Sequence, residues 1–517
     1  MKRTPRVSRG IFPAAAVVTV SALALSACAA PGDPNEPEAT TGGTLVVGIT
    51  ADPDTLFPWK ATQFQAVNLL QNIYGTLTQF DEELNVVPGL AESWEPSADG
   101  TTLTLSLREG VTFADGSAFD AEDVVFSLEQ IQLEETAAVG RASLAAVEGI
   151  EATGDLEVTL SLSAPDAALP ANLAELNMAM LSSEDTEETL SVTPNGTGPF
   201  TFDGRVANES ISLLRNDAYW GDAAPLDGVE FRVIPDESSI VAALQSGNIN
   251  LAVLNDPLVA ETAEASGLAV AETPQLAYHA LMLNSRAGEL GDADVRRAIQ
   301  CAIDRQEVLD TAALGEGAVT GPITSPAYRS NPDARPCPER DLDAAADYLD
   351  AAGLADGFTI NTIVSQGSYA TSVNEAQSLA AQLAEVGITL ELEVLESGAY
   401  VDRWIAGDFE AAVALNSGRP DPDGMYGRYF TSAGNLNAVA GYSSDTLDEL
   451  FAAGKASTDS AERAGIYDEI TAELENEAVW IWLFTSFTYT ATTEDVSGFT
   501  PMSNGSLQYL RTVSLSS

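Results

Sequence analysis

Apolar and polar residues alternate with period two over 102–107 (Thr-Leu-Thr-Leu-Ser-Leu) and again over 156–162 (Leu-Glu-Val-Thr-Leu-Ser-Leu). That period predicts strands with one face in a core and the other in water. β-rich runs at 44–50 and 229–234 predict two more strands, and 63–74 has helical spacing. Between the alternating runs, Asp120-Ala-Glu-Asp123 precedes Val124, Val125 and Phe126, an N-cap followed by an apolar helix face. In the second half, predicted helices at 295–303, 342–352, 375–386, 400–406 and 461–477 interleave with strands at 358–364, 388–394 and 411–415. A β-aromatic run at 479–490 follows the last helix. Helix and strand alternating at this spacing predict an α/β lobe with a central sheet, preceded by a first lobe that is partly β-rich. No internal repeat is present.

The N-terminus has a different pattern. Lys2, Arg3, Arg6 and Arg9 precede an apolar stretch at 11–25, which ends in Leu25-Ser-Ala-Cys28. A basic start, a short apolar run and small exit residues read as a secretory signal, and the run is short for a membrane span. The Leu-Ser-Ala-Cys ending resembles the bacterial lipobox, which implies cleavage before Cys28 and a diacylglycerol on its thiol. The alternative is a plain signal with an incidental cysteine. The Pro- and acid-rich stretch 31–38 has too little apolar content to fold and reads as a tether. No later stretch approaches eighteen uninterrupted apolar residues, so the expected mature chain is held at the membrane by lipid alone.

Roughly 490 residues then remain, enough for two or three domains. Hydrophobic content of 45% is ordinary, but 77 acidic residues stand against 23 basic ones. Such a surface repels nucleic acid and anionic headgroups and reads as a solubility or salt-tolerance feature rather than a binding site. If Cys28 carries lipid, Cys301 and Cys337 are the one possible intrachain pair, and an extracytoplasmic compartment favours joining them. Two separate buried thiols are the alternative.

An ordered set of motifs carries a family likeness. Ala91-Glu-Ser-Trp-Glu-Pro-Ser-Ala-Asp-Gly100 is followed by Leu105-Ser-Leu-Arg-Glu-Gly-Val-Thr-Phe113, Asp115-Gly116 and Ala121-Glu-Asp-Val124. Then come Gly196-Thr-Gly-Pro-Phe200, Asn216-Asp-Ala-Tyr-Trp220, Val295-Arg-Arg-Ala-Ile299, Ala302-Ile-Asp-Arg305, Gly407-Asp-Phe409 and Asp421-Pro422. From about Thr44 to the C-terminus the chain resembles family 5 of the bacterial extracellular solute-binding proteins, which bind dipeptides, oligopeptides and nickel chelates. The motif residues themselves have plain structural readings. Trp94, Phe113 and Trp220 suit core anchors, Asp99-Gly100 and Asp115-Gly116 suit turns, and Arg108 and Asp123 suit structural polar contacts.

The resemblance implies an α/β, two-lobed periplasmic-binding-protein-like fold (type II, cluster C) with an extra subdomain in the first lobe. Its expected divisions are a signal at 1–27, a lipid-anchored linker at 28–42, lobe I at 43–275 with the subdomain near 90–195, lobe II at 276–484, and a return to lobe I at 485–517. It also implies a monomer without cofactor or catalysis, outside the cytoplasm, that closes by a hinge on a small ligand and delivers it to ABC transporter permease subunits. A peptide-like ligand is expected, with oligosaccharide and metal chelate as alternatives.

In that family the ligand lies between a loop after the first strand and elements of the second lobe, here 51–59, 365–369 and 415–421. The resemblance therefore nominates Asp54, Leu56, Phe57, Gln366, Tyr369, Trp404, Asn416, Ser417, Arg419 and Asp421, with Arg419 and the 52–59 loop expected to face the cleft. Dipeptide-binding relatives hold the ligand ammonium with an aspartate where this chain has Gly418, and the carboxylate with an arginine where it has Gln366. Both clamps are missing, which argues against an ordinary zwitterionic dipeptide. Arg419 either meets an anionic group or is a solvated loop arginine. Of the aromatics Tyr369, Tyr400, Trp404, Trp482, Phe484 and Phe487, two or three are expected at the ligand and the rest in the core.

Rival classes find less support. A Ser-His-Asp hydrolase would have to use His279, the only histidine, in a predicted strand and without a Gly-x-Ser-x-Gly elbow. A satisfied structural histidine is the better reading. The abundance of acids keeps a carboxylate-pair glycosidase formally open. One histidine and no closely spaced cysteines offer no ordinary zinc or copper set, and Gly315-Glu-Gly317 lacks the rest of a phosphate-binding fingerprint. A non-transport adhesin or sensor lipoprotein on the same scaffold also stays open, because fold alone does not fix function.

Overall fold

The alternation at Thr44–Ile49 becomes a strand whose Leu45, Val47 and Ile49 face the core. In the computed structural model it sits at the centre of a mixed sheet, parallel to both Gly228–Val233 and Leu251–Leu254. Ser210–Arg215 and Phe200–Val206 extend the sheet on one side, and Phe484–Thr492 and Ala269–Pro274 on the other. The structure describes residues 42–366, 369 and 371–516. The signal, Cys28 and nearly all of the linker lie outside the described residues.

A separate four-stranded antiparallel sheet forms from Ala91–Pro96, Thr102–Leu107, Glu157–Leu162 and Val147–Gly154. Helix Ala121–Gln132 packs on it, started by Asp120 in a reciprocal capping box with Asp123. Aspartates also cap the helices starting at Glu237, Pro257, Ala293, Arg305, Leu342 and Ser460. Part of the acidic excess therefore serves helix N-termini, where carboxylates satisfy open N–H groups and complement the dipole.

The second lobe is built on a five-stranded sheet ordered Ile388–Glu396, Phe358–Gln366, Ala411–Asn416, Tyr278–Leu283 and Trp480–Trp482. The first three run parallel, Tyr278–Leu283 runs antiparallel to both of its neighbours, and helix Ser372–Ala384 lies in sequence between Phe358–Gln366 and Ile388–Glu396. All six residues of Tyr278–Leu283 are buried because both faces of this strand are covered. A disulfide joins Cys301, at the end of helix Ala293–Ala302, to Cys337, ahead of helix Leu342–Ala351. Closing a loop of this length stabilises the fold by about 3–4 kcal/mol in the chain-entropy view.

The β-aromatic run predicted as one element is two. Trp480–Trp482 belongs to the second sheet and Phe484–Thr492 to the first, so the chain changes lobes at Leu483. It crosses the other way at 275–277, between Ala269–Pro274 and Tyr278–Leu283. The crossings are tied together: the Thr485 hydroxyl reaches the carbonyls of Gln275 and Ala277 at 2.5 and 2.7 Å, and Leu483 N–H donates to His279 O at 2.9 Å. Two short adjacent crossings are the geometry of a hinge.

Candidate ligand-binding site

Helix Phe64–Leu70 buries Ala66, Leu69 and Leu70 and turns its other face to open space. Phe64 stays 41% exposed there, beside Gln65 and Val67. This face borders a cavity of about 590 Å³. The short helical turn Val139–Leu144, the 175–178 segment and the 503–506 loop supply the other first-lobe walls, and the 275–277 crossing forms the back. The second lobe contributes the single loop 417–420. Glycines set two of these approaches. A Cβ on Gly418 would lie 2.1 Å from Leu276 O, so a side chain there cannot pass the crossing. Gly505, at φ +70°, lets Phe64 pack where a Cβ would meet its ring at 2.7 Å.

Glu175 and Arg419 are the charged residues lining this cavity, one from each lobe. Both are exposed to it. Enclosure by the surrounding walls pushes the Glu175 carboxyl above its ordinary range, and the Arg419 guanidinium pulls it back down. Amides fill much of the remaining polar surface. Asn177 spends its Nδ2 on the carbonyls of Pro58 and Ala61 at 2.8 and 3.0 Å. Asn504 accepts from Ser506 N–H through Oδ1 at 3.1 Å, which leaves its NH2 for other partners.

Of the residues nominated from sequence, Ser417 and Arg419 line this cavity. Leu56 and Phe57 lie in the first-lobe core at 3% exposure, Phe57 edge-on to Trp59, while Asp54 points to solvent. The rest of the 52–59 loop is similarly engaged: Asp52 pairs with Arg205 at 2.7 Å, and Trp59 Nε1–H donates to Ala179 O at 2.8 Å. Gln366 is exposed at the end of its strand. Tyr369 donates to Glu375 at 3.3 Å, and Trp404 packs edge-on to Tyr429. Asn416 is buried and donates to the hydroxyls of Tyr278 and Tyr429. Asp421 is held by Arg463 through two contacts, at 2.6 and 2.9 Å. Trp482 and Phe484 are fully buried.

His279 is satisfied on both ring nitrogens, by Glu375 at 2.9 Å and Ser486 Oγ at 3.0 Å, and stacks on Phe484 at 4.2 Å. The order serine, histidine, carboxylate matches a nucleophile relay in spacing. Yet Ser486 is on a regular strand whose carbonyl is taken by Gln275 N–H, and none of the three borders the cavity.

A second cavity, of about 510 Å³, lies on the other side of Pro420, between the subdomain and the second lobe. Trp94, Tyr328, Asp166 and Asp421 line it together with Lys455 and Arg463. Its basic groups are already paired, Arg463 with Asp421 and Lys455 with Asp423 at 3.3 Å. Asp423 is 8% exposed and its Oδ1 has no hydrogen-bond partner among the described residues, and burial pushes its carboxyl up to about 6 despite Lys455. The unfolded chain releases this proton near pH 4, while the folded chain keeps it until about pH 6. Folded-state stability is therefore lost as pH rises through that window, by on the order of 3 kcal/mol from this group. In urea unfolding, Asp423→Asn is expected to match the parent below pH 4 and to exceed it progressively up to pH 6. Equal gaps at pH 4 and pH 7 would refute this.

Glu175, Phe64, Asn177 and the 503–506 loop were not legible as site residues. They come from segments far apart in sequence and belong to no motif. The only local signal was Phe64, an aromatic on the polar side of a helical pattern.

Two α/β lobes joined by paired crossings, with a cavity walled by both, define a two-lobed binding protein of the periplasmic type. Residues 85–437 match the family model described as bacterial extracellular solute-binding proteins, family 5 Middle, and the chain belongs to that family. It is 30% identical over 500 residues to Protein XP55 of Streptomyces lividans, covering 92% of this chain and 89% of that one. It is 28% identical to the probable di/tripeptide-binding protein 5 of Pseudomonas aeruginosa, covering 88% and 93%. The solved structure of HbpA2 from Haemophilus parasuis superposes with a TM-score of 0.85 at 25% identity, covering 92% of this chain and all of that one. Among the described residues, no helix is long and apolar enough to cross a membrane.

Proposed function

We propose that the chain captures a peptide or peptide-like solute in the cavity between its lobes and presents it, closed, to the permease of an ABC importer. The observation that carries this reading is the cavity itself, which has one wall on each lobe and the hinge crossings at its back. A ligand touching both walls favours the closed arrangement by its differential affinity for it. The peptide class draws support from the relative named as a di/tripeptide-binding protein. It also draws support from the wall chemistry: carboxamides offer donors and acceptors for peptide groups, and Phe64 and Val139 offer apolar surface for side chains. Lipid on Cys28 would hold the protein, as a monomer, at the outer face of the membrane and within reach of the permease.

Native mass spectrometry of the purified protein tests the ligand class. The expected result is an added small mass, lost on denaturation, that fragments as a peptide. A sugar or chelate mass would overturn the peptide assignment. For protein isolated empty, di- to pentapeptide pools in a thermal-shift assay take its place. A ligand at a hundred times its Kd adds about 2.7 kcal/mol, and a flat response to every pool would refute the reading.

A further inference from the structure

The cavity holds opposite charges on opposite lobes. Glu175 belongs to the first lobe and Arg419 to the second, and both side chains open into the same space. Neither makes an ion pair or a side-chain hydrogen bond among the described residues. For Arg419 this contrasts with Arg296, Arg305 and Arg463, which have found carboxylate or carbonyl partners in a chain where 77 acidic residues compete for 23 basic ones. The guanidinium lies beside Gly424, where there is no side chain to occupy it. Leaving two complementary charges apart in a partly enclosed space forgoes their attraction, which grows as water is excluded. A ligand with matching ends would recover it.

The neighbouring residues fix the sense of the arrangement. Gly418 has no room for a side chain against Leu276 O, so the second-lobe loop cannot present a carboxylate at that point and presents the Arg419 cation next to it. On the opposite wall, Asn177 has its Nδ2 committed to Pro58 and Ala61, which leaves its carbonyl oxygen to accept beside the Glu175 carboxylate. That wall favours a cationic donor. The walls between are amide, hydroxyl and apolar.

Glu175 and Arg419 stand at other positions than the two missing clamps of the dipeptide-binding relatives, and we infer that through them the cleft, against the expectation from those clamps alone, takes a zwitterionic solute in one fixed orientation, its amino group against Glu175 and Asn177 of the first lobe and its anionic group against Arg419 of the second. In the proposed peptide reading, on which this inference rests, the N-terminus meets the first lobe and the C-terminal carboxylate the second. Each end then contacts a different lobe, so a free ammonium and a free carboxylate on one molecule are both needed to draw the lobes together. A solute lacking either charge binds one lobe and closes the cleft poorly.

The test uses tripeptide pools in four forms: free, N-acetylated, C-amidated and doubly blocked. Their binding to the parent, Glu175→Gln and Arg419→Gln proteins is followed by titration calorimetry. Both residues face open space, so the variants are expected to keep the parent's unfolding temperature. Charge-assisted hydrogen bonds of this kind correspond to about ten- to a hundredfold in affinity. The parent should lose that factor on N-acetylation and again on C-amidation. Glu175→Gln should bind free and N-acetylated pools alike while still discriminating C-amides, and Arg419→Gln should do the reverse. The inference is overturned if blocked pools bind the parent as well as free ones, or if each variant loses the other end's discrimination. Absence of binding by every pool to the parent overturns the peptide reading itself, an outcome separate from both.

Discussion

Replacing Arg463 with leucine is expected to lower stability by about 3–5 kcal/mol at neutral pH, measured by urea unfolding. Arg463 and Asp421 are 5% and 8% exposed and form a two-contact pair, 2.6 and 2.9 Å. The same guanidinium donates to Tyr328 OH at 2.7 Å, Tyr467 OH at 3.2 Å and Gly454 O at 2.9 Å. Leucine removes every one of these and leaves the nearly buried Asp421 carboxylate without its paired cation, with the Asp423 N–H at 2.9 Å as a remaining donor. The penalty is mainly that stranded charge. Arg463→Leu combined with Asp421→Leu should therefore recover most of the loss, since a buried pair replaced by apolar side chains is often close to neutral. A double variant as unstable as the single one would mean that the loss came from packing around Tyr328 and Tyr467.

His279→Leu is expected to have an effect of similar size, about 3–5 kcal/mol, for a related reason. Glu375 is fully buried, and its Oε1 bonds His279 and Thr371. Thr371 and the weaker contact from Tyr369 remain in the variant, but the imidazole N–H does not. Ser486→Ala, which removes one hydrogen bond at the other ring nitrogen, should cost only about 1 kcal/mol. A ratio near unity between the two variants would mean that the loss does not come from the Glu375 contact. Because His279 is on the strand beside the crossing and Ser486 on the returning one, the same contact also ties the lobes at their junction.

These residues differ in how visible they are without a structure. His279 as a satisfied strand histidine followed from its apolar surroundings. Arg419 was nominated by the family resemblance, next to Gly418 where dipeptide-binding relatives carry an aspartate. Glu175 did not stand out among 77 acids, because nothing local distinguishes a carboxylate facing a cavity from one facing bulk water.

The sequence by itself determined the local elements and the family. Period-two alternation names the buried face of Thr102–Leu107 and Glu157–Leu162, and aspartates before apolar helical stretches mark starts such as Asp120 and Asp341. These are short-range effects of pleat, helix pitch and capping, so they can be read within a window of a dozen residues. Only the tertiary structure decided that 479–490 divides at Leu483 between two sheets, that Gly418 lies against Leu276, and that Glu175 faces Arg419 across the cleft. Each depends on strand pairing or lobe apposition between distant segments. A side-chain period specifies which face is buried and leaves open what covers it.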